Sequence, residues 1–194
     1  MKLFFLFSIL LFTFCSAQIP DKDGQIAAAL QAAPEEFRDG ATVLGYDKTG
    51  KLVTLKEGTN AMICLADDPN QKGFNAAAYH KDLEPFMARG RELRAEGKSR
   101  DEIFNIREQE VKDGKLPMPG KGGATLHILF GSDAKYNPQT GKVDNAIYRY
   151  VVYIPWATTE TTGLPTSPST NGGPWIMDAG THRAHIMINP PVVK

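Results

Sequence analysis

Short runs of alternating apolar and polar residues flank a middle section in which apolar residues recur at helical spacing. Near the N-terminus "ATVLGYD" and "KLVTLKE" are joined by Lys48-Thr49-Gly50, two β-capable runs around a turn, and this predicts a hairpin. "AMICLA" predicts a further strand, ended by the turn-forming Asp67-Asp68-Pro69-Asn70. Ahead of these, Ala-rich "QIAAALQAA" before Pro34 predicts a short helix over 25–32.

In the middle, Leu83, Phe86, Met87 and Leu93 repeat at helical spacing, with Pro85 placed for a first turn and Gly97 as the stop. Ser99 and Glu102 form the capping box of a second helix that stops at Asp113-Gly114. Its apolar stripe, Ile103, Ile106 and Val111, is thin and fits a surface helix packed on one side. Strands return with "ATLHILF" and the long aromatic run 147–156, which suits a central strand. The polar segment between them reads as a connection. The Thr, Ser, Pro and Gly-rich stretch 158–174 reads as a long loop. "WIMDAG" and "HIMIN" predict two last short strands. Strands, then helices, then strands again predict a single α+β domain, with a mainly antiparallel sheet and two to three helices.

The N-terminal end reads differently. Lys2, the apolar run from Leu3 to Phe14 and the small-residue patch Cys15-Ser16-Ala17 follow the order of a secretory signal peptide cleaved after Ala17. The run falls short of the roughly 20 apolar residues that span a bilayer. Phe14 stands where a lipoprotein signal needs a small residue before its cysteine, which disfavours lipidation of Cys15. The expectation is residues 1–17 as signal and 18–194 as one exported domain, periplasmic or secreted, with no membrane span after cleavage.

Composition then narrows the classes. The chain has 194 residues, with 22 basic and 22 acidic side chains, and losing Lys2 with the signal leaves a net charge of −1. No basic patch is large enough to gather phosphates, so nucleic acid is not an expected partner. Of the two cysteines, Cys15 leaves with the signal and Cys64 stands alone, so no internal disulfide is expected. No Asn-x-Ser/Thr acceptor occurs.

Candidate chemistry centres on "DAGTHRAHIMINPP", which holds two of the four histidines. The Gly180-Thr181 pair makes His182 an exposed turn residue. Alternation from His185 puts His185, Met187 and Asn189 on one strand face, which makes His185 a hydrogen-bonded structural histidine. A soft-metal reading competes with this. Met62 and Cys64 share a face of their strand as His185 and Met187 share one of theirs; were those faces to meet, the set would suit copper. A zinc site would draw on His80, His182, His185 and Asp178, but the helical His-Glu-x-x-His spacing is absent. His80 reads as a loop residue before a helix, and His127 as a residue of the less buried sheet face. A hydrolytic or redox enzyme would pair His185 with Cys64, a cysteine otherwise read as buried and inert. No Gly-x-Ser-x-Gly elbow or phosphate loop occurs, and the acidic loops lack the alternation of a calcium loop.

The segment "ATVLGYDKTGKLVTLKEGTNAMICLADDPN" and the closing Gly180, Thr181, Ala184, His185 and Met187 carry a resemblance. In them the chain resembles a family of uncharacterised small exported bacterial proteins. These share an ATV strand, a Thr-Leu hairpin arm, EGTN, a cysteine, an Asp-Asp/Asn-Pro turn and a terminal Gly-Thr-x-x-Ala-His-x-Met. The resemblance implies export and a shared fold, and favours His185 over His182. Many relatives carry a second cysteine after the turn, and "NQKGFNAAAYH" has none. The cofactor stays unknown. The functional expectation is a non-enzymatic domain that binds a small molecule or an envelope or extracellular partner, with the 158–174 loop as a surface for it.

Overall fold

A computed structural model describes residues 19–120, 122–168 and 172–189. The expected signal peptide lies outside the described residues. The first helix, α1 (Lys22–Leu30), starts earlier than its apolar pattern because Asp21 caps it, its Oδ1 accepting from the Gly24 amide at 2.7 Å. A single turn, α2 (Glu35–Arg38), follows Pro34.

The hairpin β1 (Thr42–Tyr46) and β2 (Leu52–Lys56) forms as expected. Asp47 fixes its turn, Oδ1 accepting from the Thr49 amide at 2.8 Å and the Thr49 hydroxyl at 2.6 Å. The chain then crosses the start of β1 and lays β3 (Met62–Leu65) parallel to it on its other side. The crossover depends on Gly58, where a Cβ would stand 2.2 Å from the Thr42 nitrogen. Thr59 and Asn60 both donate their amides to the Gly40 carbonyl, at 2.7 and 2.9 Å.

The next strand, β4 (Phe74–His80), escaped the sequence reading. Its Ala76-Ala77-Ala78 run has little β-propensity, but β3 and β5 supply hydrogen-bonding partners on both sides. The small side chains have a packing role, because Ala76 and Ala78 sit in one core cluster with Ala28 and Ala29 of α1. His80 is the last residue of this strand, where a loop was expected. Its Nδ1 accepts from the Asp82 amide at 3.3 Å and caps a turn of 3-10 helix over Lys81–Leu83.

The helices α3 (Glu84–Ala95) and α4 (Arg100–Lys112) follow, with Pro85 in the first turn of α3 and the Ser99/Glu102 capping box formed. Arg89 of α3 binds Glu110 of α4 at 2.8 Å. The remaining strands are β5 (Ala124–Gly131), β6 (Lys135–Asn137), β7 (Lys142–Asp144), β8 (Ile147–Tyr153), β9 (Trp175–Met177) and β10 (His185–Ile188). β6 and β7 make a small separate hairpin inside the segment read as a connection. β8 stops at Tyr153 rather than Trp156, whose φ of 67° turns the chain out of the sheet. The 158–174 stretch contains a one-turn helix, α5 (Thr159–Thr162), and the Ile176 amide donates to the Pro165 carbonyl.

One eight-stranded sheet results, in the order β2-β1-β3-β4-β5-β8-β10-β9. β1–β3 is its parallel pair and the other pairings are antiparallel. The fold is α+β, as expected, with two one-turn helices beyond the longer ones foreseen. Register assigns the two faces. Cys64, Ala78, His127, Tyr150 and Ile188 are successive partners on one face, the face that α1 covers in part. Ile63, Tyr79, Leu126, Val151, Met187 and Trp175 are successive partners on the other, which receives Leu83 and Phe86.

Candidate functional site

His182, in the turn that joins β9 to β10, and His185, the first residue of β10, are both buried. His182 is 0% exposed, where the sequence reading had it at the surface. Its ring meets Phe104 of α4 and Phe86 of α3 edge-on, with centroids 4.9 and 5.7 Å away. The local sequence places His182 in a turn correctly. What it does not show is that α3 and α4 lie over that turn.

Neither ring nitrogen of His182 has a hydrogen-bond partner among the described residues. The nearest carboxylate oxygen, Glu108 Oε2, is 3.5 Å from Nδ1, too long to count as a bond. Burial pushes the imidazole down to about 4, Arg107 and Arg183 add to this, and Glu108 opposes it. At neutral pH it is uncharged, and its flat ring packs edge-on against both phenyl rings. Arg107 beside it stacks on Phe86, its guanidinium carbon 3.8 Å from the ring centroid, and donates Nη1 to the Phe86 carbonyl at 3.1 Å. Gly90 makes room for that guanidinium, since a Cβ there would lie 2.8 Å from Nη1.

His185 is 6% exposed, on the strand face that alternation predicts with Met187. Its Nδ1 is 2.6 Å from the Arg183 carbonyl, so that nitrogen carries the proton and Nε2 is the acceptor. Asp178 binds Arg183 Nε at 2.7 Å and lies 3.9 Å from His185 Nδ1. Asp178 and Trp156 both hold positive φ, 53° and 67°, in a turn fixed by Trp156 N to Thr181 O and Gly180 N to Ala157 O bonds.

The metal and dyad candidates do not meet. Met62 and Cys64 lie on the α1 face, while His185 and Met187 lie on the opposite one, with β4, β5 and β8 between β3 and β10. Four inter-strand steps separate Cys64 from His185 by roughly 19 Å across the strands, and a three-residue offset along β10 adds to this. Among the described residues no three His, Cys, Asp or Glu side chains are grouped to hold a metal ion. Cys64 is a free buried thiol that burial pushes up to about 12, the reverse of what a nucleophile needs.

Concavity is found elsewhere. Between α3 and the β3–β4 connection, part of the second sheet face is left uncovered, and a cleft of about 810 Å³ opens over it. Leu65, Ala77, Leu126 and Ile128 form its floor, Met87 and Ala88 of α3 one wall, and Asp67, Asp68 and Asn75 the other. No family model, curated protein or solved structure matches this chain. The cleft is therefore read from its own chemistry. Arg91 stands at its edge, locked by Nη2 to Glu84 Oε1 at 2.6 Å and Nη1 to Tyr79 Oη at 3.2 Å. Tyr79 donates to Glu84 Oε2 at 2.6 Å, which ties α3 to β4. Tyr46 lines the far end; burial first, then Asp68, push its phenol up to about 12, so it stays a neutral donor.

The sequence marks Asp67 and Asp68 as a turn and as acidic-loop carboxylates, while Arg91 and Arg94 stand among interleaved charges of the kind a solvated helix face carries. The interleaved charges of "RGRELRAEGKSR" were a usable signal, because Arg91 and Arg94 are three apart and share a side of α3. None of the described residues of the 158–174 loop lines the cleft. No helix among the described residues is long and apolar enough to cross a membrane.

Proposed function

We propose that this chain is an exported domain that binds an amphipathic small molecule in the cleft between α3 and the sheet. One observation carries the reading: a concavity of about 810 Å³ with a floor of Leu65, Ala77, Leu126 and Ile128 and charged groups at its rim. Ligand sites are concave, largely apolar and provided with a few polar groups that orient the guest. The cleft has each of these properties, and its walls are a two-turn helix stretch and a turn held by the sheet. Export rests on the order of Lys2, the Leu3–Phe14 run and Ala17.

Titration with the fluorescent amphiphile 1-anilinonaphthalene-8-sulfonate tests the site. Saturable fluorescence is expected with the wild-type protein. Ala88→Trp, which fills the cleft from its helix wall, is expected to abolish it while leaving the thermal midpoint in place. Equal binding by wild type and Ala88→Trp, or none by either, overturns the assignment.

A further inference from the structure

The cleft's cationic groups all lie on one wall, and this names the ligand class, an inference that rests on the cleft being the binding site. Arg91 and Arg94 project from α3, with Glu92 beside them held by Arg89 at 3.2 Å, while Asp67 and Asp68 come from the β3–β4 connection opposite. Among the described residues no ion pair joins the two walls: Arg91 pairs with Glu84, and Arg94 has no carboxylate within 4.0 Å. All four charges act on the Tyr46 phenol, the two aspartates in one sense and the two arginines in the other. Tyr46 thus marks the place where two opposite fields meet over an apolar floor.

Asp67 is half-buried, with one carboxylate oxygen bonded within the protein and the other open to solvent. Oδ1 accepts the Asn75 amide at 2.8 Å, and no donor among the described residues meets Oδ2. Burial, with Asp68 adding, holds its carboxyl above the ordinary range, so a cation placed there would be drawn in. Asp68 is steadied by the Asn70 amide at 2.9 Å and the Gln71 side chain at 3.1 Å.

We propose that the cleft takes a zwitterion with an apolar body, a short apolar peptide or apolar amino acid with free ends, its carboxylate toward Arg91 and Arg94 and its ammonium toward Asp67 and Asp68. A purely anionic guest such as the dye pairs with the arginines but leaves Asp67 and Asp68 against its apolar body, so it binds more weakly than a zwitterion, and a purely cationic guest leaves Arg91 and Arg94 without a partner from the ligand. A neutral guest would strip water from four charges and pair none, which is costly. Only a guest with both signs satisfies both walls while its side chains cover Leu65, Leu126 and Ile128. A cleft of about 810 Å³ holds a short peptide with room for water.

Displacement of the bound dye by leucyl-leucine, its N-acetyl form, its C-terminal amide and free leucine tests this. Leucyl-leucine is expected to displace the dye, and each blocked form to be at least ~10-fold weaker, as loss of one charge-assisted contact implies. Arg94→Gln should weaken leucyl-leucine while leaving the amide unchanged, and Asp67→Asn should weaken it while leaving the N-acetyl form unchanged. Free leucine matching leucyl-leucine assigns the amino acid as the guest, and a weaker leucine assigns the peptide. If the dye binds in wild type and not in Ala88→Trp, yet blocked and free forms compete equally or none competes, the zwitterion inference fails and the cleft remains. If the dye does not bind the cleft at all, the failure belongs to the site itself.

Discussion

The His182 ring stands edge-on to Phe104, centroids 4.9 Å apart with planes at 64°, and this contact fastens the β9–β10 turn to α4. The imidazole is enclosed, uncharged and out of reach of substrate. Its position has consequences for pH and for packing.

In acid, stability should drop in part through this residue. An unfolded histidine takes a proton near pH 6.5, while folded His182 resists protonation until about 4. Below pH 6.5 the unfolded state therefore binds more protons, and the stability present above that pH is lost as pH falls toward 4. The loss by pH 4 is on the order of a few kcal/mol at most, with the opposing pull of Glu108 already included. Urea midpoints from pH 7 to 4 should show a shallower decline in His182→Phe than in wild type. Parallel declines would refute the assignment.

Gly90→Ala should destabilise although alanine is the better helix former. The added methyl would lie 2.8 Å from Arg107 Nη1, whose guanidinium is stacked on the Phe86 ring and bonded to the Phe86 carbonyl. Overpacking of this kind costs about 1–3 kcal/mol, against a propensity gain of about 1. Denaturant midpoints should show that Arg107→Ala removes the penalty in the double variant, and an additive double variant would mean the clash is not with Arg107.

Cys64 should be silent to thiol probes under native conditions. It is fully buried, and its thiol is pushed up to about 12. Labelling should proceed only as fast as the protein opens, and rise with denaturant. Rapid modification at pH 7 in the native protein would contradict the burial.

Protein recovered from an exporting host should begin at Gln18. Intact mass measurement reads this directly. A molecule that retains residues 1–17 would remove the basis for export, while leaving the cleft as it is.

What the sequence determined by itself is the part set by neighbours along the chain. The Asp47 turn, the Ser99/Glu102 capping box, Pro85 at a helix start and the alternation of His185 with Met187 all formed as read. Each is fixed by groups a few residues apart, so their spacing carries the information. The strand over Ala76–Ala78 was hidden because its partners come from β3 and β5, and an alanine run by itself favours neither fate. His182 was misplaced for a related reason: what buries it is Phe86 and Phe104, about 80 to 95 residues earlier in the chain. Only the tertiary structure could decide that Cys64 and His185 occupy opposite faces, because one residue of register reverses the face of a whole strand. The cleft belongs to the same class. Its floor is drawn from β3, β4 and β5 and its charged walls from α3 and a turn, so it exists only once the helix has settled on the sheet and left part of that face bare.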